Sequence, residues 1–193
     1  MRRIILICQV LFCSAYLSAQ TSNFRSRISE AAIELTRIEV EYDPGYYALG
    51  YPGGDLPENR GVCTDVIIRA YRALGIDLQQ RVHKDMSKDF DSYPDIWGLS
   101  LPDSNIDHRR VPNLMVFFKK YGTSLPISQD AGDYRAGEVV CWNLGGGITH
   151  IGIVVDRKSP DGIRNMIVHN IGEGQVMEDC LFNFKIIGHY YYE

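Results

Sequence analysis

Apolar positions at helical spacing organise the first two-thirds of the chain, and alternating β-rich runs organise the rest. Val66, Ile67, Ala70, Tyr71 and Leu74 recur every three or four residues, which predicts a buried helix opening near Cys63. Thr64 or Asp65 supplies a cap for its start, and Gly75 a stop. Ile28, Ala32, Leu35 and Ile38 mark an earlier amphipathic helix over residues 26–40. Leu114, Phe117, Phe118 and Tyr121 mark a later one that Pro112 opens and Gly122 closes. Between residues 78 and 113 the pattern lapses into polar residues punctuated by prolines, so that stretch reads as a functional insertion with short helical turns.

After Pro126 the period shortens. Residues 138–143 and 150–156 are β-rich runs joined by Leu144-Gly145-Gly146-Gly147, which predicts a hairpin, and residues 165–171 and 184–192 add two further strands. Helices followed by antiparallel strands give an α+β fold.

The N-terminus changes the picture of where the chain works. Two arginines, an apolar run from Ile4 to Leu11 and a small-residue stretch at Ser18-Ala19 have the layout of a secretory signal peptide over residues 1–19, cut before Gln20. Residues 20–193 then form one domain exported to the periplasm or beyond, and no later segment is apolar enough to span a membrane. Phe12 is too bulky for the position before a lipidated cysteine, which argues against Cys13 as an anchor. Losing Arg2 and Arg3 with the leader shifts the formal charge from −4 to −6, and an acidic chain of this kind gives nucleic acid no footing. Cys63, Cys141 and Cys180 remain. An odd number leaves at least one thiol free in a monomer; Cys141 and Cys180 either pair or pack as small hydrophobes.

Candidate chemistry centres on Cys63. A helix mouth offers unpaired amides and the positive end of the dipole, which favour a thiolate, so Cys63 is expected to be an activated nucleophile. His150 opens a strand and is the candidate base; His169 or Asn170 on the next strand is the candidate orienting group, and alternation lets only one of the two face His150. The run Asn105 to Asn113 is rich in carboxylate-binding groups. His108, Arg109 and Arg110 are expected to hold an anionic peptide, unless those charges pair locally with Asp103 and Asp107. Tyr47 and Tyr51 lie in a turn-rich loop expected to line a binding groove. No close-spaced ligand pair suggests a metal site, and no cofactor is expected.

Tyr51-Pro52-Gly53-Gly54 ahead of Gly61-Val62-Cys63-Thr64-Asp65, then Gly137-Glu138-Val139-Val140, His150-Ile151-Gly152-Ile153 and Ile167-Val168-His169, resemble in order and outline the NlpC-type cell-wall peptidases of the papain-like superfamily. The likeness is closer to a secreted bacterial family catalogued as a domain of unknown function. It spans roughly residues 46–170, leaves the 78–113 insertion outside the shared core, and departs from the superfamily at Val62, Thr64 and Asp65 beside the cysteine. The resemblance implies N-terminal helices packed on a C-terminal antiparallel sheet, with Cys63 as nucleophile, His150 as base and His169 as orienting residue. It also implies amide hydrolysis, most plausibly in the stem peptides of peptidoglycan or another small peptide; Asn170, next to His169, is itself expected beside the substrate. The same constellation would serve an acyltransferase, and an envelope binding module could keep the fold without the chemistry.

Overall fold

A computed structural model describes residues 23–193; the expected leader at 1–19 lies outside them. Helix α1 covers residues 23–35, ending earlier than its apolar pattern suggested. The chain then forms β1 (Glu41–Tyr42) and β2 (Arg60–Gly61), helices α2 (Cys63–Ala73), α3 (Leu78–Met86) and α4 (Val111–Tyr121), and strands β3 (Thr123–Ser124), β4 (Val139–Asn143), β5 (Thr149–Lys158), β6 (Asn165–His169), β7 (Val176–Glu178) and β8 (Lys185–Tyr191). The architecture is α+β. Strands β1 and β2 pair in parallel, and the main sheet has the order β3-β8-β4-β5-β6-β7 with antiparallel neighbours throughout.

Helix α3 is a regular element inside the expected insertion. Asp77 caps it by accepting from the Gln80 amide, and Leu78, Val82 and Met86, four residues apart, turn one face into the core. The rest of that stretch forms short 3-10 turns at Phe90–Ser92 and Asp107–Arg109, as its lapsed periodicity suggests.

Two apolar layers sandwich the main sheet. On one side α2 and α4 pack Val66, Ile67, Ala70, Tyr71, Leu114 and Phe118 against Cys141, Ile151, Ile153 and Val168. On the other, Trp142, Val154 and Ile167 are covered by Tyr134 and Leu181, and the Trp142 indole donates to the Leu181 carbonyl at 2.9 Å. Cys141 belongs to the first layer and Cys180 to the second. Both thiols are free, as is Cys63, so the possible bridge between them is not made. Among the described residues no helix is long and apolar enough to cross a membrane.

Candidate active site

Helix α2 is aimed by its own first turn. The Asp65 carboxylate, three residues after Val62, accepts the Val62 amide at 2.7 Å, so Asp65 caps from inside the helix and Cys63 takes the first helical position. A side chain at Gly61 would press on Asp65 Cβ at 3.1 Å, which explains a glycine here. Asn170 Nδ2 donates to the Gly61 carbonyl at 3.1 Å and its Oδ1 accepts the Gly172 amide, so Asn170 ties the end of β6 to the approach of α2. Fully buried in that role, it is not available to substrate, contrary to the expectation for it.

Arg109 is likewise absorbed. Its guanidinium grips the Asp65 carboxylate at 3.0 and 3.2 Å and donates to the carbonyls of Gly45 and Asp43, while its own carbonyl accepts the Thr64 hydroxyl. Both side chains of the pair are almost wholly buried. The expected clamp is an internal bolt joining the 3-10 turn to the start of α2. His108 is also buried, its Nδ1 without a hydrogen-bond partner, and desolvation with Arg109 and Arg72 nearby drives its pKa down to about 3. It stays neutral in the interior and does not meet ligand. Tyr47 bonds Asp43 and Arg60, and Tyr51 stands edge-on to His83 at 5.0 Å, so neither lines the cavity beside Cys63.

That cavity has a volume of about 370 Å³ and has Cys63 in its wall. Tyr42, Trp97, Ile106 and Ile148 give it apolar sides, and Arg109 and Arg110 are the charged residues lining it. Because Arg109 is spent on Asp65, the charge on offer is Arg110, which lies over the Trp97 ring at 4.1 Å and also pairs with Asp107. Of the five groups foreseen in the tyrosine loop and the Asn105–Asn113 run, Arg110 alone keeps a face toward the cavity with charge to offer.

His150 and His169 do come together. His150 Nε2 and His169 Nδ1 are 2.8 Å apart, with the rings perpendicular, and His169 Nε2 lies 2.9 Å from Glu178 Oε2 and 3.5 Å from Cys180 Sγ. Glu178 and Cys180 were not legible as site residues, although Val176 and Glu178 alternate onto the face of β7 that the register sets beside His169. A carboxylate only accepts, so Glu178 fixes the proton of His169 on Nε2. Burial lowers the pKa of His169 despite Glu178, and holds that of His150 down to about 3, with His169 as a second cause. Both rings are therefore neutral near pH 7. His169 Nδ1, bare, must accept from His150 Nε2–H, and the proton-free nitrogen left at the end of the chain is His150 Nδ1, the one a base needs.

The sulfur reaches the same strand from the helix side. Strands β5 and β6 pair only from Ile153 onward, and Cys63 packs in the same apolar layer as Ile151 of β5. His150 pairs across the strand with Trp142 and stacks toward it, 5.7 Å between centroids, so its ring lies with the second apolar layer while the sulfur packs in the first. Thiol and imidazole thus lie on opposite faces of the sheet, and the cavity that has Cys63 in its wall is not lined by His150. His150 spends Nε2 on His169, and in this resting arrangement no hydrogen bond joins Sγ to Nδ1 among the described residues. Such contacts are commonly loose before substrate binds.

The thiolate expected at the helix mouth is not the resting state. Burial, joined by the negative charge of Asp65, pushes the Cys63 thiol up to about 12 against the pull of the Ile151, Thr64 and Cys63 amides. Desolvation outweighs the dipole here because the residue is only 7% exposed. Iodoacetamide is expected to label Cys63 slowly at pH 7 and about tenfold faster per pH unit up to pH 10, followed by mass spectrometry of its peptide. A rate already level between pH 7 and 9 would mean a preformed thiolate.

A family model described as "Domain of unknown function (DUF1287)" matches residues 29–192. The chain belongs to this family. It is also 48% identical over 171 residues to "Uncharacterized protein YijF" of Escherichia coli (strain K12), an alignment covering 89% of this chain and 83% of that protein. The match takes in α2, the 78–113 stretch and all strands of the main sheet, so the elements that carry Cys63, His150, His169 and Glu178 all fall within the family's own span.

Proposed function

We propose that this DUF1287 protein is an exported cysteine hydrolase of NlpC-like, papain-type design that cleaves an amide bond, most plausibly in peptidoglycan stem peptides. One observation carries the reading: the chain from Glu178 through His169 to His150 leaves a bare imidazole nitrogen on β5, the strand against which α2 packs.

In this reading substrate enters the cavity with an apolar flank against Trp97 and Ile148 and a carboxylate on Arg110. Cys63 Sγ attacks the carbonyl carbon as its proton passes to His150 Nδ1, a step that needs the His150 ring to swing from the Trp142 side of β5 toward the sulfur. The oxyanion is held by amides of the first turn of α2, which have no partner within the helix. His150 returns the proton to the leaving nitrogen, the C–N bond breaks, and water hydrolyses the thioester to free Cys63. Neutral thiol and neutral imidazole suffice, because the proton moves as the bond forms.

The unformed thiol to imidazole contact and the raised thiol favour one rival, a binding module that holds the same peptides without cutting them. Incubating residues 20–193 with muropeptides and following masses separates the two. Hydrolysis predicts products that gain the mass of water across one amide and a Cys63→Ala protein that binds but does not cut. Intact muropeptides bound equally by both proteins would replace the hydrolase with the binding module.

A further inference from the structure

Glu178 ends β7 on the face that register shares with His169 at the end of β6, and Cys180, two residues further on, brings its sulfur to 3.5 Å from His169 Nε2. Their ligand atoms, His169 Nε2, Glu178 Oε2 and Cys180 Sγ, all lie within 4.8 Å of one another. Two of the separations are 2.9 Å and 3.5 Å. Zinc-class bonds of about 2.0–2.3 Å at tetrahedral angles set ligand atoms roughly 3.3–3.7 Å apart, so small side-chain shifts suffice. His169 and Cys180 are buried, whereas the Glu178 side chain is 46% exposed. The cluster therefore has two fixed ligands, one movable one and an open side for entry and for a fourth ligand from solvent. Imidazole, carboxylate and thiolate together select a borderline-soft divalent cation over magnesium or calcium.

We propose that His169, Glu178 and Cys180 bind a divalent cation of the zinc class, and that the bound cation switches the catalytic base off. The second half rests on the hydrolase reading above; the first does not. Glu178 normally accepts a hydrogen bond from His169 Nε2–H. A cation needs that nitrogen's lone pair, so the His169 proton moves to Nδ1, which then donates to His150 Nε2 instead of accepting from it. His150 in turn carries its proton on Nδ1, a donor where an acceptor is required. Each imidazole keeps one proton, and Cys180 gives its thiol proton to solvent, so one proton is released per cation bound. The cation thereby reverses the direction of the whole chain without touching Cys63.

Cobalt(II) reports the first half directly, because a cobalt–thiolate bond produces an intense near-ultraviolet charge-transfer band. Titrating Co²⁺ into the Cys63→Ala protein, which lacks the competing thiol, is expected to give one equivalent with that band, displaced by Zn²⁺. Cys180→Ser should abolish the band, and Glu178→Gln should weaken binding about 10- to 100-fold. Calorimetry in buffers of different ionisation enthalpy should show about one proton released. No band, or a band that survives Cys180→Ser, overturns the site, and neither result depends on hydrolysis. For the switch, Zn²⁺ should suppress muropeptide cleavage by the parent and spare Cys180→Ser at the same concentration. Equal inhibition of both would place the cation on Cys63 and overturn the switch.

Discussion

His150→Ala is expected to slow muropeptide hydrolysis by about 10²–10⁴-fold, the usual worth of a positioned general base, while leaving peptide binding in place. The parent protein should show its own signature. A base works only when unprotonated, and burial beside His169 keeps the pKa of His150 near 3, so its imidazole is neutral throughout the range above that value. The acid limb of kcat/KM should therefore fall well below the 6.5 of an ordinary histidine, with little loss between pH 7.5 and 5. On the alkaline side, a thiol at about 12 predicts no rise through pH 9. A profile with a midpoint near 6.5 would mean a solvated imidazole or a preformed ion pair. Unchanged rates in His150→Ala would remove it from the mechanism altogether.

The largest expected effect on folding belongs to Arg109. Arg109→Ala should destabilise the protein by about 3–5 kcal/mol, because it strands the Asp65 carboxylate in the interior and leaves the carbonyls of Gly45 and Asp43 without donors. In a domain of this size that corresponds to roughly 6–20 °C in Tm, read by thermal or urea denaturation. Lysine should recover little, since one ammonium cannot reproduce the forked contact to Asp65 together with both carbonyl bonds. Joint replacement, Asp65→Leu with Arg109→Met, should cost less than Arg109→Ala alone, as removing both charges leaves neither unpaired. A loss below 1 kcal/mol for Arg109→Ala would show that the pair is solvated.

Elements with a dense apolar period were legible in the sequence, and contacts between distant segments were not. Helices α2 and α4 and strands β4, β5, β6 and β8 lie close to where their patterns put them, since each carries its own burial code. Helix α3 escaped because Leu78, Val82 and Met86 are its only large apolar residues among Gln, Arg, His, Lys and Asp. The short β1, β2, β3 and β7 have two or three residues each, too few to show alternation. In the site, alternation correctly required His169 and Asn170 to part, and the structure sends His169 to His150 and Asn170 to Gly61. Arg109 was misjudged because its partner Asp65 sits 44 residues away. The acidity of Cys63 was misjudged because a helix start is visible in sequence, whereas the strand that seals it from water is not.

The strand order has a consequence for assembly. Strand β8, latest in the chain, lies between β3 and β4, and β3 has no other partner in the sheet. The β4 to β7 meander can zip up from neighbouring hairpins as soon as it is made, but β3, with α4 behind it, cannot join until β8 has threaded into place. Pairing across so long a separation is the slow kind. Strand β8 is therefore the piece that locks the sheet, and nothing complete can form before it arrives.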